Sequence, residues 1–420
     1  MKISNKHFLS GSRNYPAMSD TLCISPWIHL HTLPNNKVLP CCMTSHHLDV
    51  GNLADSTLEE IWNNDQMKTL RKKMLNGEKS EICSRCYLQE KHSGNSNRTR
   101  LNEYNKDKQY LFNMTNEDGS LDQFKMYYWD FRFSNICNFK CRSCGPQLSS
   151  GWHSDSKIRF GKVGEDWFSS PQKIDLWEQI YPHFDYVEEI YFAGGEPLIM
   201  EQHYMILQEL IDRKKTNVLL RYNTNLSKLN YKNINVLEYW NHFDTVEVWA
   251  SLDSYLERGE YLRKGTVWSE IEDNIRAIKR ECPHISLKIS ATVGVFNAYD
   301  LTDFIRHCIN SGFIDDNGWM VNPIQTPEFM RIQVLPAKYK EELLVRFNSF
   351  IEETYLVGNV SMTDRTNSIA QINHLKDYMM AEDRSHQLPE LLEEIQIIDR
   401  IRNEDFFSVF PEYQDLFNDQ

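Results

Sequence analysis

The chain has 420 residues, 41% of them apolar and 25% charged. That is ordinary for a globular protein and long enough for two or three domains at ~150 residues each. Its net charge of −13 argues against general affinity for nucleic acid, because phosphate binding needs a basic footprint. No run of ~18 apolar residues appears, so no membrane span is expected. Residues 1–20 lack the apolar stretch of a secretory signal, and a cytoplasmic chain is expected.

In chain order, residues 1–20 read as a flexible N-terminus. Residues 21–92 read as a compact module carrying Cys23, Cys41, Cys42, Cys83 and Cys86. Its clear helix begins after Thr57, which stands at capping-box spacing from Glu60. Leu58, Ile61, Trp62, Leu70 and Met74 continue the apolar stripe, and Gly77 is the expected stop. Residues 93–123 are polar and read as a connector. The basic runs Arg71-Lys72-Lys73, Arg98 with Arg100, and Arg213-Lys214-Lys215 read as solvated faces. His29, His31, His46, His47 and His92 read as polar surface.

From about residue 124 strands and helices alternate. The expected strands are Met126–Phe133, Val187–Ala193, Asn217–Asn223, Thr245–Leu252, Ile285–Val293 and Phe329–Val334. Between them helices are expected over Ile174–Phe184, Ile199–Lys214, Tyr231–Asn241, Ser269–Arg280 and Leu301–Asn310. Six β units joined by helices predict an α/β fold over residues 124–336 with a parallel sheet and right-handed crossovers. Residues 337–420 read as helices only. Ligands in such sheets sit at the carboxyl ends of the strands, where the following loops converge.

Eight of the ten cysteines precede residue 145. Cys282 and Cys308 stand alone among apolar residues and read as packing. Just after the first expected strand, Cys137, Cys141 and Cys144 form C-x-x-x-C-x-x-C. Chance would give that spacing in roughly half a percent of chains with this cysteine content. Three thiolates on one short loop suit a cubane cluster and leave one iron open to a small molecule. Zinc with a fourth ligand from elsewhere is the alternative.

This loop resembles the hallmark of the radical S-adenosylmethionine (SAM) superfamily, and the likeness runs over residues 124–336. It implies a partial parallel (β/α)6 barrel whose open iron binds the amino and carboxylate groups of SAM. Electron transfer then releases a 5′-deoxyadenosyl radical. Gly194-Gly195-Glu196-Pro197 at the second strand end resembles the family's GGEP element, implying contacts to the methionine ammonium. Asn225 lies in a Thr-Asn turn, Ser251 and Asp253 resemble its ribose-contacting Ser-x-Asp element, and Arg263 sits where relatives place an arginine near the cofactor carboxylate. The residue before the last cysteine is usually aromatic; here it is Ser143.

Residues 21–92 resemble the SPASM auxiliary-cluster module or its shortened twitch form, through Pro40-Cys41, Gly51-Asn52-Leu53 and the Leu58–Trp62 helix. That resemblance implies a second, auxiliary [4Fe-4S] cluster on Cys23, Cys41, Cys83 and Cys86, with Cys42 the alternative to Cys41. Such modules usually follow the barrel; here the module precedes it. Four cysteines with a terminal C-x-x-C also suit structural zinc.

The sequence therefore predicts an enzyme that cleaves SAM reductively and abstracts hydrogen from a peptide, protein or small-molecule substrate. An electron donor such as flavodoxin or ferredoxin is implied; a nucleic acid or membrane partner is not expected. Side chains lining the substrate space are expected from strand ends, including Tyr128 or Phe192. The rival readings are a zinc-stabilised non-catalytic binding protein and a barrel that binds SAM without radical activity.

Overall fold

The computed structural model describes residues 19–93, 96–161, 176–356 and 362–417. Most of the expected flexible N-terminus, and the start of the helix expected from Ile174, lie outside the described residues. The chain forms two compact units, Met1–Asp130 with Gln172–Val187, and Phe131–Pro171 with Glu188–Gln420.

The first unit opens with helix α1 (Ser25–Ile28) and strands β1 (His31–Thr32), β2 (Lys37–Leu39) and β3 (Gly51–Asn52). The strands form an antiparallel meander, His31 opposite Leu39 and Val38 opposite Gly51. Strand β4 (Tyr128–Phe131) gives the order β4-β1-β2-β3. The Thr57–Glu60 capping box forms as its spacing predicts and starts α2 (Leu58–Trp62). The apolar stripe then splits. Asn63 leaves the helix, and Asn64 caps α3 (Asp65–Leu75) by accepting from the Met67 amide at 3.0 Å. Gly77 follows in the left-handed region, at φ +76°. Helices α4 (Ser84–Ser93), α5 (Asn97–Tyr104) and α7 (Leu176–Ile180) complete the unit, so the expected connector is partly helical.

Two basic runs depart from the solvated reading. Arg71 is buried, its guanidinium 4.9 Å above the Trp62 ring and its Nε donating to the Pro26 carbonyl. Arg98 is buried as well, donating to the Leu22 and Ser19 carbonyls and pairing with Glu90. Carbonyl and carboxylate partners supply what water would otherwise give these cations.

In the second unit, strands β6 (Glu189–Phe192), β7 (Leu219–Thr224), β10 (Val246–Ala250), β12 (Ser286–Val293) and β13 (Trp319–Pro323) form a parallel sheet in the order β13-β12-β10-β7-β6. The intervening helices include α8 (Glu201–Asp212), α11 (Trp268–Glu281) and α12 (Leu301–Asn310), which present Ile, Leu and Phe side chains to the core. Small strand pairs also form: β5 (Lys140–Cys141) with β11 (Arg263–Lys264), and β8 (Asn230–Tyr231) with β9 (Ile234–Asn235). Helices α6 (His153–Phe160), α9 (Val236–Trp240) and α10 (Leu256–Leu262) are short. The C-terminal region is helical as expected: α13 (Ala337–Leu356), α14 (Met362–Met380), α15 (Leu388–Arg402) and α16 (Phe406–Val409).

The expected sixth strand is misplaced. Phe329–Val334 falls in two 3-10 turns, Glu328–Met330 and Ile332–Val334, and the strand is Trp319–Pro323. Its terminal proline disguised it. Proline is tolerated there because β13 lies at the sheet edge, with no neighbour needing the missing N–H. The helix expected over Tyr231–Asn241 starts only at Val236. Lys232, at φ +54°, turns the chain, and Asn235 caps the helix by accepting from the Leu237 amide.

Candidate functional site

In the second unit the cysteine loop is held from both sides. Cys141 pairs with Arg263 across the β5–β11 ladder, and the Arg142 amide donates to the Leu262 carbonyl at 2.8 Å. The Trp152 indole donates to the Cys141 carbonyl at 3.0 Å. Cys137 sits where the Phe139 amide reaches its sulfur at 3.4 Å and the Asn225 amide group at 3.9 Å. Arg263 Nη1 lies 3.7 Å from the Cys141 sulfur.

The Gly-Gly turn packs directly under this loop. Gly194 and Gly195 lie at φ +84° and +56°. A Cβ on Gly195 would stand 2.3 Å from the Ile136 carbonyl, and the Glu196 amide donates to that same oxygen at 2.8 Å. Only glycine fits both the backbone and the space. Pro197 opens a 3-10 turn and is buried.

Glu196 is buried, and its carboxylate is already engaged. One oxygen accepts from the Thr224 hydroxyl at 2.7 Å and the Leu198 amide at 3.0 Å, the other from the Asn225 amide at 2.6 Å. Burial pushes its pKa up to about 7, against the pull of those hydrogen bonds. Its visible work is to tie the Gly-Gly turn to the Thr-Asn turn. Asn225 then reaches Asn138 of the cysteine loop at 2.9 Å. Asp253 is held by Arg263 through contacts of 2.7 and 2.8 Å and accepts from the Thr292 amide at 2.8 Å. The Ser251 amide donates to the Thr224 carbonyl. The structure thus gathers Cys137, Cys141, Cys144, Gly194, Gly195, Glu196, Asn225, Asp253 and Arg263 at the carboxyl ends of β6, β7 and β10.

Sequence reading missed Thr292, Phe296, Asn297 and Ile324 at the ends of β12 and β13. Ser143, Asp253, Thr292, Phe296, Asn297 and Ile324 line one small cleft. Asn297 donates to the Asp253 carbonyl at 2.8 Å. The glycine after β12, Gly294, was the available signal. Phe192 stacks on Tyr222 at 5.0 Å and meets His203 edge-on, a core position.

The three thiols fit a metal cluster. Burial raises all three, and neighbouring thiols add to it at Cys137 and Cys144, which reach about 11 and about 12. Adjacent buried thiols that form no disulfide become thiolates when a cation supplies the opposing charge.

In the first unit Cys23, Cys41, Cys83 and Cys86 behave the same way. Burial raises each, Cys83 to about 12, and Cys41, Cys83 and Cys86 all act on Cys23. Arg98 sits beside them and lowers Cys83 and Cys86, a partner the sequence reading placed in solvent. Cys282 and Cys308 are buried packing residues, as expected.

His29 and His31 correct the surface reading: both are buried. The whole stretch from His29 to Thr32 is enclosed, on both faces of β1. Their Nδ1 atoms lie 3.0 Å from the Tyr128 and Asp130 carbonyls, and His31 is also 3.2 Å from the Asp130 carboxylate. The Tyr128 ring lies 4.5 Å from that of His29. His46 and His47 are exposed, as expected.

Two family models match parts of the chain. Residues 131–304 match the radical SAM superfamily, and residues 23–87 match SPASM, an iron–sulfur cluster-binding domain. The chain thus carries a stretch that matches radical SAM domains, preceded by one that matches the SPASM domain. The radical SAM domain implies a [4Fe-4S] cluster working with SAM, and the SPASM domain implies auxiliary iron–sulfur binding. A solved structure described as native anSMEcpe with bound AdoMet is 17% identical; the match covers 53% of this chain and 59% of that one, with a TM-score of 0.37. Another, with bound AdoMet and Cp18Cys peptide, is 16% identical over 56% and 59%, with a TM-score of 0.36. The chain thus spans about three fifths of those solved chains. No curated protein matches it. No helix among the described residues is long and apolar enough to cross a membrane.

Proposed function

We propose that this chain cleaves SAM reductively at a cluster held by Cys137, Cys141 and Cys144, and directs the resulting radical at a peptide or protein substrate. The cluster, when bound, supplies the electron that breaks the SAM sulfur–carbon bond. The convergence of the three thiols with the Gly-Gly turn and the Arg263–Asp253 pair carries this reading. Gly194 and Gly195 expose backbone carbonyls toward an ammonium, and Pro197 fixes the turn after them. Asn225, Ser251 and Asp253 stand at strand ends suited to a ribose, and Arg263 is a guanidinium suited to a carboxylate. Phe296 and Ile324 line the cleft beside Ser143, so they supply the apolar wall that an aromatic residue before the last cysteine would otherwise give.

The auxiliary cluster is assigned to Cys23, Cys41, Cys83 and Cys86. Cys41 acts electrostatically on Cys23 and Cys83, and Cys42 is its alternative. A fully ligated cluster suits electron relay, with flavodoxin or ferredoxin as donor to the chain. The peptide class rests on resemblance to modules that accompany peptide-modifying enzymes.

Metal analysis tests both assignments. The reconstituted chain should hold about eight irons, two cubanes' worth. Replacing Cys137, Cys141 and Cys144 by Ala should leave about half, along with the signal of the other cluster. Zinc in place of iron at either site would contradict the reading.

A further inference from the structure

The two residues flanking Cys141 are both cations, and both are tied to the C-terminal helix α15. Arg142 is almost fully buried. Its Nη2 bonds Asp399, and it reaches Glu404 just beyond the helix at 2.6 Å. Its guanidinium lies 3.7 Å above the Tyr261 ring, and the Tyr261 hydroxyl donates to Asp399 at 2.8 Å. Asp399 also accepts from the Phe406 amide at 2.8 Å, and Glu404 pairs with Lys264 at 2.8 Å. On the other side, Lys140 pairs with Asp155 at 2.5 Å, and Asp155 with Arg402 at 2.8 Å. Arg402 is fully buried, its guanidinium 4.6 Å from the ring of Trp152, whose indole holds the Cys141 carbonyl.

We infer that α15 is part of the cluster site: Asp399 and Glu404 position Arg142, and the buried charge of this group sets the reduction potential of a cluster on the neighbouring thiolates. Helix α15 lies outside both matched regions, which end at residues 87 and 304. Surface charges that far from the thiolates would be screened by salt, but buried ones act through a medium of low dielectric. Arg142 and Lys264 balance Asp399 and Glu404, and Lys140 and Arg402 outnumber Asp155 by one, so each charged member adds its own sign to the field at Cys141. Extra negative charge disfavours adding an electron, so removing a carboxylate and removing the arginine must move the potential in opposite directions. The inference rests on the assignment of the cluster to Cys137, Cys141 and Cys144.

The test is a redox titration of the reconstituted full chain, following the paramagnetic signal that changes on adding SAM. Asp399→Asn should raise the midpoint potential, Arg142→Met should lower it, and Arg142→Lys should stay near the native value. Iron content should hold in Asp399→Asn and Arg142→Lys. Unchanged potentials, or shifts of one sign in Asp399→Asn and Arg142→Met, would overturn the inference. So would loss of folding in all three, judged by circular dichroism, because the contacts would then be structural only. If the native chain itself shows no signal responsive to SAM, the cluster assignment fails first.

Discussion

The Asn225 backbone amide donates to Glu196 Oε2 at 2.6 Å, joining the ends of β7 and β6 beneath the cysteine loop. The same carboxylate takes the Thr224 hydroxyl and the Leu198 amide, so one buried side chain sets the spacing of two loops. Glu196→Gln would aim an amide N–H at donors that need an acceptor. A buried donor left unmade costs ~1–3 kcal/mol. Thermal unfolding should show that loss, and SAM binding should weaken because Asn225 is no longer fixed. Native stability and affinity in the variant would contradict this role.

Two glycines separate fit from freedom. Gly195→Ala meets the Ile136 carbonyl at 2.3 Å as well as a positive φ, and the backbone cannot yield without moving the cysteine loop. Gly77→Ala has an equally left-handed backbone but nothing within 4 Å. The second change should cost only ~1 kcal/mol. The first should abolish iron loading at Cys137, Cys141 and Cys144, read as iron per chain.

Arg263 grips Asp253 with two guanidinium nitrogens. Lysine offers one donor point in place of a fork. Arg263→Lys should keep the fold and weaken SAM binding by ~10-fold or more, since a charge-assisted bond contributes ~1.5–3 kcal/mol. Calorimetric titration of the reconstituted protein reads this directly.

A buried histidine gives each unit an acid weakness. Burial lowers His203 to about 3 and His183 to about 4. Each is neutral when folded and charges at a higher pH when unfolded, so the unfolded state binds more protons below about 6.5. Their contribution is complete above pH 6.5 and is lost as pH falls toward the folded values. His203 is fully enclosed, its Nε2 3.0 Å from the Tyr222 hydroxyl. Between pH 6.5 and 5.5 the native chain should lose ~1–2 kcal/mol. His203→Gln should show a flatter slope in melting curves across that range.

The cysteine loop and the Gly-Gly turn were legible in sequence because each is a local pattern after a strand; Asp253 and Arg263 were each named, but their ion pair needed the structure. Strand positions were legible where apolar alternation was unbroken; β13 was not, because its Asn322-Pro323 end imitates a turn. His29 and His31 read as polar because sequence alone does not show that the whole segment from His29 to Thr32 is enclosed, its imidazoles facing the Tyr128 and Asp130 carbonyls. The tie from Arg142 to Asp399 spans 257 residues, a separation at which no local pattern operates. Glu196 was legible as a site residue, but its role in joining two turns needed the geometry of Thr224 and Asn225.

The central claim is that Cys137, Cys141 and Cys144 hold a cluster that cleaves SAM. The direct measurement is 5′-deoxyadenosine formed when the anaerobically reconstituted chain meets SAM and a strong reductant, beside Cys141→Ala. The account predicts product from the native chain and none from the variant. Equal product from both, or none from an iron-replete native chain supplied with peptide substrates, would contradict it.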